Sequence, residues 1–431
     1  MKNTMKINKK VNKKENITFL SNDYTSKNER HVIKGVPYVS QKTGFFCSYA
    51  CPTMIFNFFG LNTSLYEVLY NSGVGYALVY PSSNRNYLPI GGTAAAQWSS
   101  NRKFLASLYG LSYENWRASR DLSEDKRWQE YLTRILHILK QNIPIQTTVN
   151  QLYMPSIQRV IPAFFSNNRV IQSLIFKHLQ PGIHDIVLVG FDMKNRKICY
   201  HDPQYGVLGS PKEGTYTWVD LENFRKAICS AKIGKKESNY SIEFYKKNPN
   251  PSLSKKEIFE IAQKRNIEKM KGNPSVYDER YSNNSLGINA LKTLKKDLEE
   301  GIVDNSSNIL SKFKRTGLRL QLYYKFRDLF LEHLDDNPAF LDGYLCIKIE
   351  KEYIFKYLKK NYNLSTNYFD EKRFFHNESE LWGNLASIFS FFKQKNLFMQ
   401  KSDGKNLIKK MSDIIINLIK IENELLDDFK L

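Results

Sequence analysis

The stretch from Val36 to Gly60 reads VPYVSQKTGFFCSYACPTMIFNFFG, and its second half predicts a buried helix that begins at Cys47. A cysteine in the first turn of a helix has its thiolate stabilised by the free N–H groups of that turn. Gln41 stands six residues upstream, where its side-chain amide could reach the same helix end. Together with the backbone N–H of Cys47, that amide would form an oxyanion hole. The stretch therefore predicts Cys47 as a nucleophile and Gln41 as its oxyanion donor.

A nucleophilic cysteine also needs an imidazole base, and the base needs a group that orients it. The segment from residue 182 to residue 206, GIHDIVLVGFDMKNRKICYHDPQYG, offers both. His184 opens a predicted strand, a turn around Asp192–Asn195 reverses the chain, and Asp202 ends the next strand. The start of the first strand then lies beside the end of the second. We therefore expect a hydrogen bond between His184 and Asp202.

Other residues compete for these roles and are not assigned to them. Asp185 is adjacent to His184, and successive strand residues face opposite sides of a sheet, so Asp185 should point away from the site. His178 lies in a helical or loop stretch without an acidic partner, and His201 should face away from Asp202, as a surface or packing residue. Cys51 lies one turn after Cys47 and should pack into the core. The same interpretation applies to the remaining thiols, Cys199, Cys229 and Cys346.

The secondary-structure pattern of the sequence changes at residues 246–254, KKNPNPSLS. Before this segment, β-type runs (Ile143–Val149, Ile186–Gly190 and Ile198–His201) alternate with helices such as Trp128–Gln141. After it, a capping box formed by Ser254 and Glu257 opens a helical half. That half is predicted to contain the helices Lys255–Lys271, Leu286–Glu300, Asn305–Leu334, Leu381–Phe398 and Lys405–Phe429. We predict an α+β chain with a flexible basic arm at residues 1–30, a catalytic domain at 31–249 and an all-α domain at 250–431.

Composition and charge narrow the classes of partner. The chain has 431 residues, 13% of them aromatic, which excludes a largely disordered protein. Its net charge is +21. Residues 1–249 hold 33 Lys and Arg against 17 Asp and Glu, so most of the excess lies in the half that contains Cys47. The positive electrostatic field of such a charge favours an acidic partner. No helix-turn-helix, RNP-like strand or zinc site is visible, so we do not expect nucleic acid as the main partner.

Targeting and cofactor signals are also lacking. The basic N-terminus is not followed by the apolar stretch of a signal peptide, and no apolar run approaches the ~20 residues that a membrane span needs. The five cysteines contain no CxxC pair, and no P-loop or GxGxxG motif is present. We therefore expect a cytoplasmic protein that uses no cofactor and no metal.

Gln41, Cys47, His184 and Asp202, in this order, resemble the papain-like cysteine enzymes of the C39-like group. The resemblance rests on CSYAC at the start of a helix, on HDIVLVGFD followed by HDPQYG, and on WVDLENF at residues 218–224. The chain is also similar to the butirosin-biosynthesis acyltransferase type, in which a papain-like domain precedes a helical domain. NSGVGYALVY, VNQLYMPS and SLGINALKTL carry that second likeness. Ser48 stands where many C39-like members have Gly, and no ATP-binding cassette accompanies the domain, so the exporter-peptidase role does not transfer.

The resemblance implies a cysteine acyltransferase that forms an amide in a specialised metabolite or small peptide. Cys47 would accept an acyl group from a thioester on an acidic acyl or peptidyl carrier protein, and an amine or peptide-like acceptor would then take it. The helical domain would cap the site and supply a docking surface or a dimer contact. One alternative is a C39-like cysteine peptidase or amidase that uses the same residues with water as acceptor. Another is a binding or immunity protein in which the triad no longer works.

Overall fold

The computed structural model describes residues 29–41, 46–73, 76–80, 90–91, 99–155, 183–204, 211–231, 240–248, 253–281, 283–293, 295–296, 381 and 401–428. The predicted basic arm at residues 1–30 lies outside this set, apart from its last two positions. The predicted helix Asn305–Leu334, nearly all of Leu381–Phe398, His178 and Cys346 also lie outside it.

Within the described residues, ten strands form two sheets. In chain order they are β1 (Arg30–Val32), β2 (Leu78–Tyr80), β3 (Ile90–Gly91), β4 (Leu111–Arg117), β5 (Ile145–Asn150), β6 (Ile183–Asp192), β7 (Lys197–His201), β8 (Thr217–Asp220), β9 (Ser241–Lys247) and β10 (Ser285–Leu286). The large sheet has the order β4-β9-β5-β6-β7-β8, and β1 also pairs with β6; the small sheet has the order β10-β2-β3. The pairs in both sheets are antiparallel. The predicted runs Ile186–Gly190 and Ile198–His201 lie within β6 and β7, and Ile143–Val149 overlaps β5, which begins two residues later than predicted.

The β6–β7 hairpin carries the predicted base and acid. Asp192 pairs with Lys197 next to the turn, and Val187 pairs with His201 at the far end. The Asp192 carboxylate accepts a 2.9 Å hydrogen bond from the backbone N–H of Asn195, which fixes the turn. Asp202 follows His201 directly, so this register brings it close to the start of β6, where His184 lies.

Gly190 allows β1 to lie close against β6. A Cβ atom at this position would approach the carbonyl oxygen of His31 to 2.5 Å and the Cα of Val32 to 2.9 Å. Since real Cβ atoms do not come that close to backbone atoms, a side chain here would push β1 away. The glycine therefore supports the packing of one extra strand segment against the central hairpin strand.

Seven helices are labelled in the described chain, and they pack on and around the sheet. They are α1 (Cys47–Phe58), α2 (Leu65–Ser72), α3 (Ser99–Leu108), α4 (Glu124–Lys140), α5 (Leu221–Ser230), α6 (Lys255–Lys271) and α7 (Lys401–Asp428). Helix α1 packs against β6, and all of its residues from Ser48 to Phe56 are buried, which explains why its sequence is apolar on every side. Helix α4 is amphipathic, as predicted, and buries Tyr131, Leu132, Ile135, Leu136 and Leu139.

Helix α6 begins the C-terminal half and packs against α2. Its predicted capping box is confirmed, because Ser254 and Glu257 exchange hydrogen bonds at its N-terminus. The side-chain amide of Asn266 donates to the carbonyl of Tyr70 at 3.0 Å, and Nζ of Lys269 donates to the carbonyl of Ser72 at 2.7 Å. The beginning of the C-terminal half is therefore tied directly to the N-terminal half. The domain boundary at residues 249 and 250 stays a prediction.

One predicted helix begins later than its sequence suggested. Leu286 lies in strand β10, which pairs with β2, and helical geometry starts only at residue 288. The intervening Gly287 has a φ of +56°, which breaks a helix at this point. The prediction of an all-α C-terminal half is thus wrong at β10, because a pairing with a strand some 200 residues away overrides the local helical pattern. The described residues as a whole form a mixed α+β structure.

Candidate active site

Cys47 is the first residue of helix α1. The first intrahelical hydrogen bonds run from the N–H groups of Tyr49 and Ala50 to the carbonyl of Phe46. The N–H of Cys47 comes before these bonds and takes no part in the hydrogen bonds within the helix. It lies at the positive end of the helix dipole. The Cys47 side chain is half-buried, whereas Cys51, one turn later, is fully buried. Cys47 is therefore the accessible thiol of this helix.

His184 and Asp202 form a buried pair. Nε2 of His184 lies 2.7 Å from Oδ1 of Asp202, and the two residues are 3% and 0% exposed. The backbone N–H of Gln204 also donates to Oδ1 of Asp202, at 2.9 Å. Because the bond to Asp202 occupies Nε2, the opposite ring nitrogen, Nδ1, is the one left for a nucleophile.

The Cys47 side chain lies next to the His184 ring and is among the groups that raise its pKa. Burial alone would lower the pKa of His184. The charge of Asp202, its hydrogen bond and the contact with Cys47 outweigh that effect and raise the pKa well above its ordinary value. The structure therefore brings Cys47, His184 and Asp202 together in one chain of contacts.

Asp185 bonds to the neighbouring strand β5. Its carboxylate accepts from the hydroxyl of Thr148 at 2.6 Å and from the amide of Gln146 at 3.2 Å. It therefore serves to join β5 to β6, and the partner of the His184 ring is Asp202.

His201 is buried and packs on aromatic rings. It is 0% exposed, and its ring centroid lies 4.5 Å from that of Tyr216 in an edge-on arrangement. Neither ring nitrogen has a hydrogen-bond partner among the described residues, and burial lowers the pKa of His201 to about 4. Of the two interpretations made from the sequence, a surface residue or a packing residue, the structure shows the second.

Gln41 lies at the end of the sheet that carries Asp202. It is 1% exposed, and its backbone N–H donates to the carbonyl of Pro203 at 3.0 Å. This bond ties the loop before α1 to the residue that follows Asp202. Its side-chain Oε1 is buried and accepts no hydrogen bond from the described residues. The role of Gln41 as an oxyanion donor stays a prediction.

The sequence did not indicate how the backbone of Asp202 is held. The hydroxyl of Tyr38 donates to the carbonyl of Asp202 at 2.9 Å, and the N–H of Asp202 donates to the carbonyl of Gly214 at 2.9 Å. Tyr38 lies only three residues before Gln41, within the stretch that predicted the nucleophile. No local pattern marks it as a partner of a residue 164 positions away.

Neither a metal cluster nor a membrane span is present in the part of the chain that the structure describes. No group of three or more His, Cys, Asp or Glu side chains there could hold a metal ion. Among the same residues, no helix combines the length and the apolar character needed to cross a bilayer.

Comparison with known proteins agrees with this geometry. Residues 33–231 match the family model described as the Peptidase_C39 like family. The matched range contains Gln41, Cys47, His184 and Asp202, and it ends one residue after α5. No curated protein sequence matches the chain significantly. This match supports a C39-like domain over residues 33–231 and, in general terms, a cysteine-dependent enzyme.

Proposed function

Because the comparison supports a C39-like domain over residues 33–231, we propose that this chain is a cysteine acyltransferase that forms amide bonds through an acyl-enzyme on Cys47. The observation that carries the proposal is the contact chain from Cys47 to His184 and on to the buried Asp202. Such a chain supplies a nucleophile, a proton carrier and a fixed counter-charge. These are the groups that acyl transfer requires.

In the first step, the Cys47 thiolate attacks the carbonyl carbon of a thioester. The negative charge moves to the carbonyl oxygen, which the N–H of Cys47 and the side-chain amide of Gln41 would stabilise. Collapse of the intermediate breaks the bond to the donor sulfur. The imidazolium of His184 gives its proton to the departing thiolate. Cys47 then holds the acyl group, and His184 is neutral.

In the second step, an amine attacks the acyl group on Cys47. Neutral His184 takes the proton that the amine loses, and the bond from carbon to Cys47 sulfur breaks. The products are an amide and the original pair of thiolate and imidazolium. Asp202 keeps one imidazole nitrogen occupied through both steps, so the ring neither turns nor changes its partner.

The choice of an amine over water rests on the sequence resemblance and on the burial of the site. His184 and Asp202 are 3% and 0% exposed, which limits the access of water to the base. The alternative, a peptidase or amidase, would use the same three residues with water as acceptor. The two functions differ only in what discharges the acyl-enzyme.

An acidic carrier protein as acyl donor fits the charge of the chain. The N-terminal half, residues 1–249, carries a net charge of +16, from 33 basic and 17 acidic residues. Electrostatic attraction would speed the encounter with an acidic protein and weaken as salt rises. We expect the affinity for an acyl carrier protein to fall between low and moderate salt. An affinity independent of salt would contradict this part of the proposal.

Discharge of the acyl-enzyme tests the choice of acceptor. The full chain would be incubated with an acyl group carried as a thioester on an acyl carrier protein, and then with a primary amine such as benzylamine. We expect amide to form faster than free acid, with loss of the adduct from Cys47. Free acid as the main product, at a rate that the amine does not change, would favour the hydrolytic alternative. Cys51→Ser is the matched control, because this buried thiol one turn along α1 should be dispensable.

A further inference from the structure

Helix α1 contains a proline five residues after its first residue. Pro52 has no N–H, and it stands four residues after Ser48. In a regular helix the N–H of residue 52 would donate to the carbonyl of Ser48. Because proline has no N–H, this helical hydrogen bond to the carbonyl of Ser48, the residue after Cys47, cannot form. The start of the helix that carries the nucleophile therefore lacks one of its normal internal bonds.

Arg102 supplies a donor to this same carbonyl. It lies on α3, and its Nη2 donates to the carbonyl oxygen of Ser48. The guanidinium also packs over the ring of Tyr49, with 4.9 Å from Cζ to the ring centroid. Arg102 thus contacts both residues that directly follow the nucleophile. It is 2% exposed, so these contacts are made without competition from water.

The guanidinium also forms an ion pair with a residue of the sheet. Nε of Arg102 lies 3.7 Å from the carboxylate of Glu243 on β9. Burial opposes the charged form of Arg102, but the interactions with Tyr245 and Glu243 raise its pKa above the ordinary value. The side chain therefore remains a cation, and charged donors form stronger hydrogen bonds than neutral ones.

We propose that Arg102 is a positioning residue, which replaces the helix bond removed by Pro52 and thereby fixes the first turn of α1 and the Cys47 thiol beside His184. Any buried guanidinium needs hydrogen-bond acceptors, and this one finds an acceptor in the first turn of the helix that carries Cys47. Here the acceptor is the carbonyl that the proline leaves without its usual donor. The arginine and the proline are therefore two parts of one arrangement. This inference rests on Cys47 as the nucleophile of the proposed function.

Alkylation of Cys47 by iodoacetamide, followed by peptide mass spectrometry, measures the thiol without any acyl substrate. We expect Arg102→Met to slow alkylation of Cys47 about tenfold, the effect of one lost charged hydrogen bond. Arg127→Met is the matched control. Arg127 is also a buried arginine over a tyrosine ring, but it lies on α4, with Tyr240 and Glu124 as partners. It should leave the rate unchanged.

A double-mutant cycle separates this role from a general loss of packing. Pro52→Ala restores an N–H at position 52 that can donate to the Ser48 carbonyl. In this background Arg102→Met should slow alkylation by less than about threefold. The lost contacts with Glu243 and Tyr49 are the same in both backgrounds and cancel. An equal loss in both backgrounds would overturn the proposal.

Two further measurements keep the result interpretable. If Arg102→Met fails to fold, Arg102→Lys replaces it, because lysine keeps the charge but cannot bind Ser48 and Glu243 together. Arg102→Lys should also slow the alkylation of Cys47 less in the Pro52→Ala background than in the wild-type background. An equal slowing in both backgrounds would again overturn the proposal. The wild-type rate tests the proposed function separately. If Cys47 reacts no faster than the half-buried Cys229, the nucleophile is wrong; if Cys47 reacts fast in wild type and Arg102→Met alike, only the role of Arg102 is wrong.

Discussion

Nε2 of His184 lies 2.7 Å from Oδ1 of Asp202, and both side chains are removed from solvent. The two residues are only 18 positions apart, so a single hairpin is enough to bring them together. The third member, Cys47, comes from a helix more than 130 residues earlier in the chain. One hairpin thus positions the base and its acid, whereas the position of the nucleophile depends on the packing of α1 against β6.

Replacing Asp202 should change the pH range in which the enzyme works. The charge of Asp202 raises the pKa of His184 against the opposing effect of burial, so Asp202→Asn should lower that pKa. We expect the basic limb of the kcat/KM profile to move to lower pH, and kcat to fall on the order of 10²-fold. Asp185→Asn is the control, because Asp185 bonds Thr148 and Gln146 instead. An unmoved basic limb in Asp202→Asn would show that the pair does not govern the titration.

Gln41→Ala should separate oxyanion stabilisation from thiol reactivity. If the Gln41 amide stabilises the oxyanion, its loss should reduce kcat about 10²- to 10³-fold. Alkylation of Cys47 by iodoacetamide creates no oxyanion, so its rate should stay within about twofold of wild type. Steady-state kinetics and alkylation rates on the same preparation check both values. A parallel fall in the two rates would assign Gln41 a role in shaping the loop before α1.

His201 should make folding stability depend on pH. The pKa of His201 falls from an ordinary 6.5 to about 4 in the folded protein. Between these values the unfolded chain binds more protons, so the free energy of unfolding should rise with pH. The contribution is complete above about 6.5 and is lost as pH falls toward 4, with a slope of at most about 1.4 kcal/mol per pH unit.

Urea unfolding of His201→Phe at several pH values measures this contribution. The aromatic replacement keeps a ring against Tyr216 but cannot bind a proton. We expect the variant to show a smaller slope than wild type between pH 4 and 6.5. Below about pH 5.5 His184 adds little slope, since its folded pKa lies above its ordinary value and it is protonated in both states. Identical slopes in the two proteins would mean that His201 is not buried in its neutral form.

The contact between α2 and α6 should show in a pair of glycine variants. Gly60 and Gly73 both have φ near +80°, so alanine strains the backbone by about 1 kcal/mol at either position. A Cβ at Gly60 would meet nothing within 4 Å, whereas one at Gly73 would come within 2.5 Å of Asn266 and Lys269. We expect Gly73→Ala to lower the free energy of unfolding by about 1–3 kcal/mol more than Gly60→Ala. Equal losses in the two variants would contradict the packing of α6 on α2.

Several features of the fold could be predicted from the sequence because their causes are local. The apolar run after Cys47 predicts a buried helix, the β-branched runs predict β6 and β7, and Ser254 with Glu257 predicts the start of α6. Strand alternation and the length of the hairpin were enough to select Asp202 over Asp185.

Other features depend on contacts that no local pattern reveals. The sequence of β10 is compatible with a helix, and only its pairing with β2 makes Leu286 a strand residue. Arg102 lies 54 residues from Ser48, and nothing around it in the sequence marks it as a partner of the nucleophile helix. Tyr38 reaches Asp202 in the same long-range way. Prediction from sequence therefore succeeded where short segments determine structure, and it missed these contacts between distant segments.

The covalent state of Cys47 tests the central claim most directly. The full chain would be mixed with an acyl thioester of a carrier protein, quenched within seconds, and digested for mass spectrometry of the peptide that contains Cys47. We predict an acyl adduct on Cys47 in the wild-type protein, strongly reduced accumulation in His184→Ala, and none on this peptide in Cys47→Ala. An adduct that forms equally in His184→Ala, or turnover of the thioester that survives Cys47→Ala, would contradict the account.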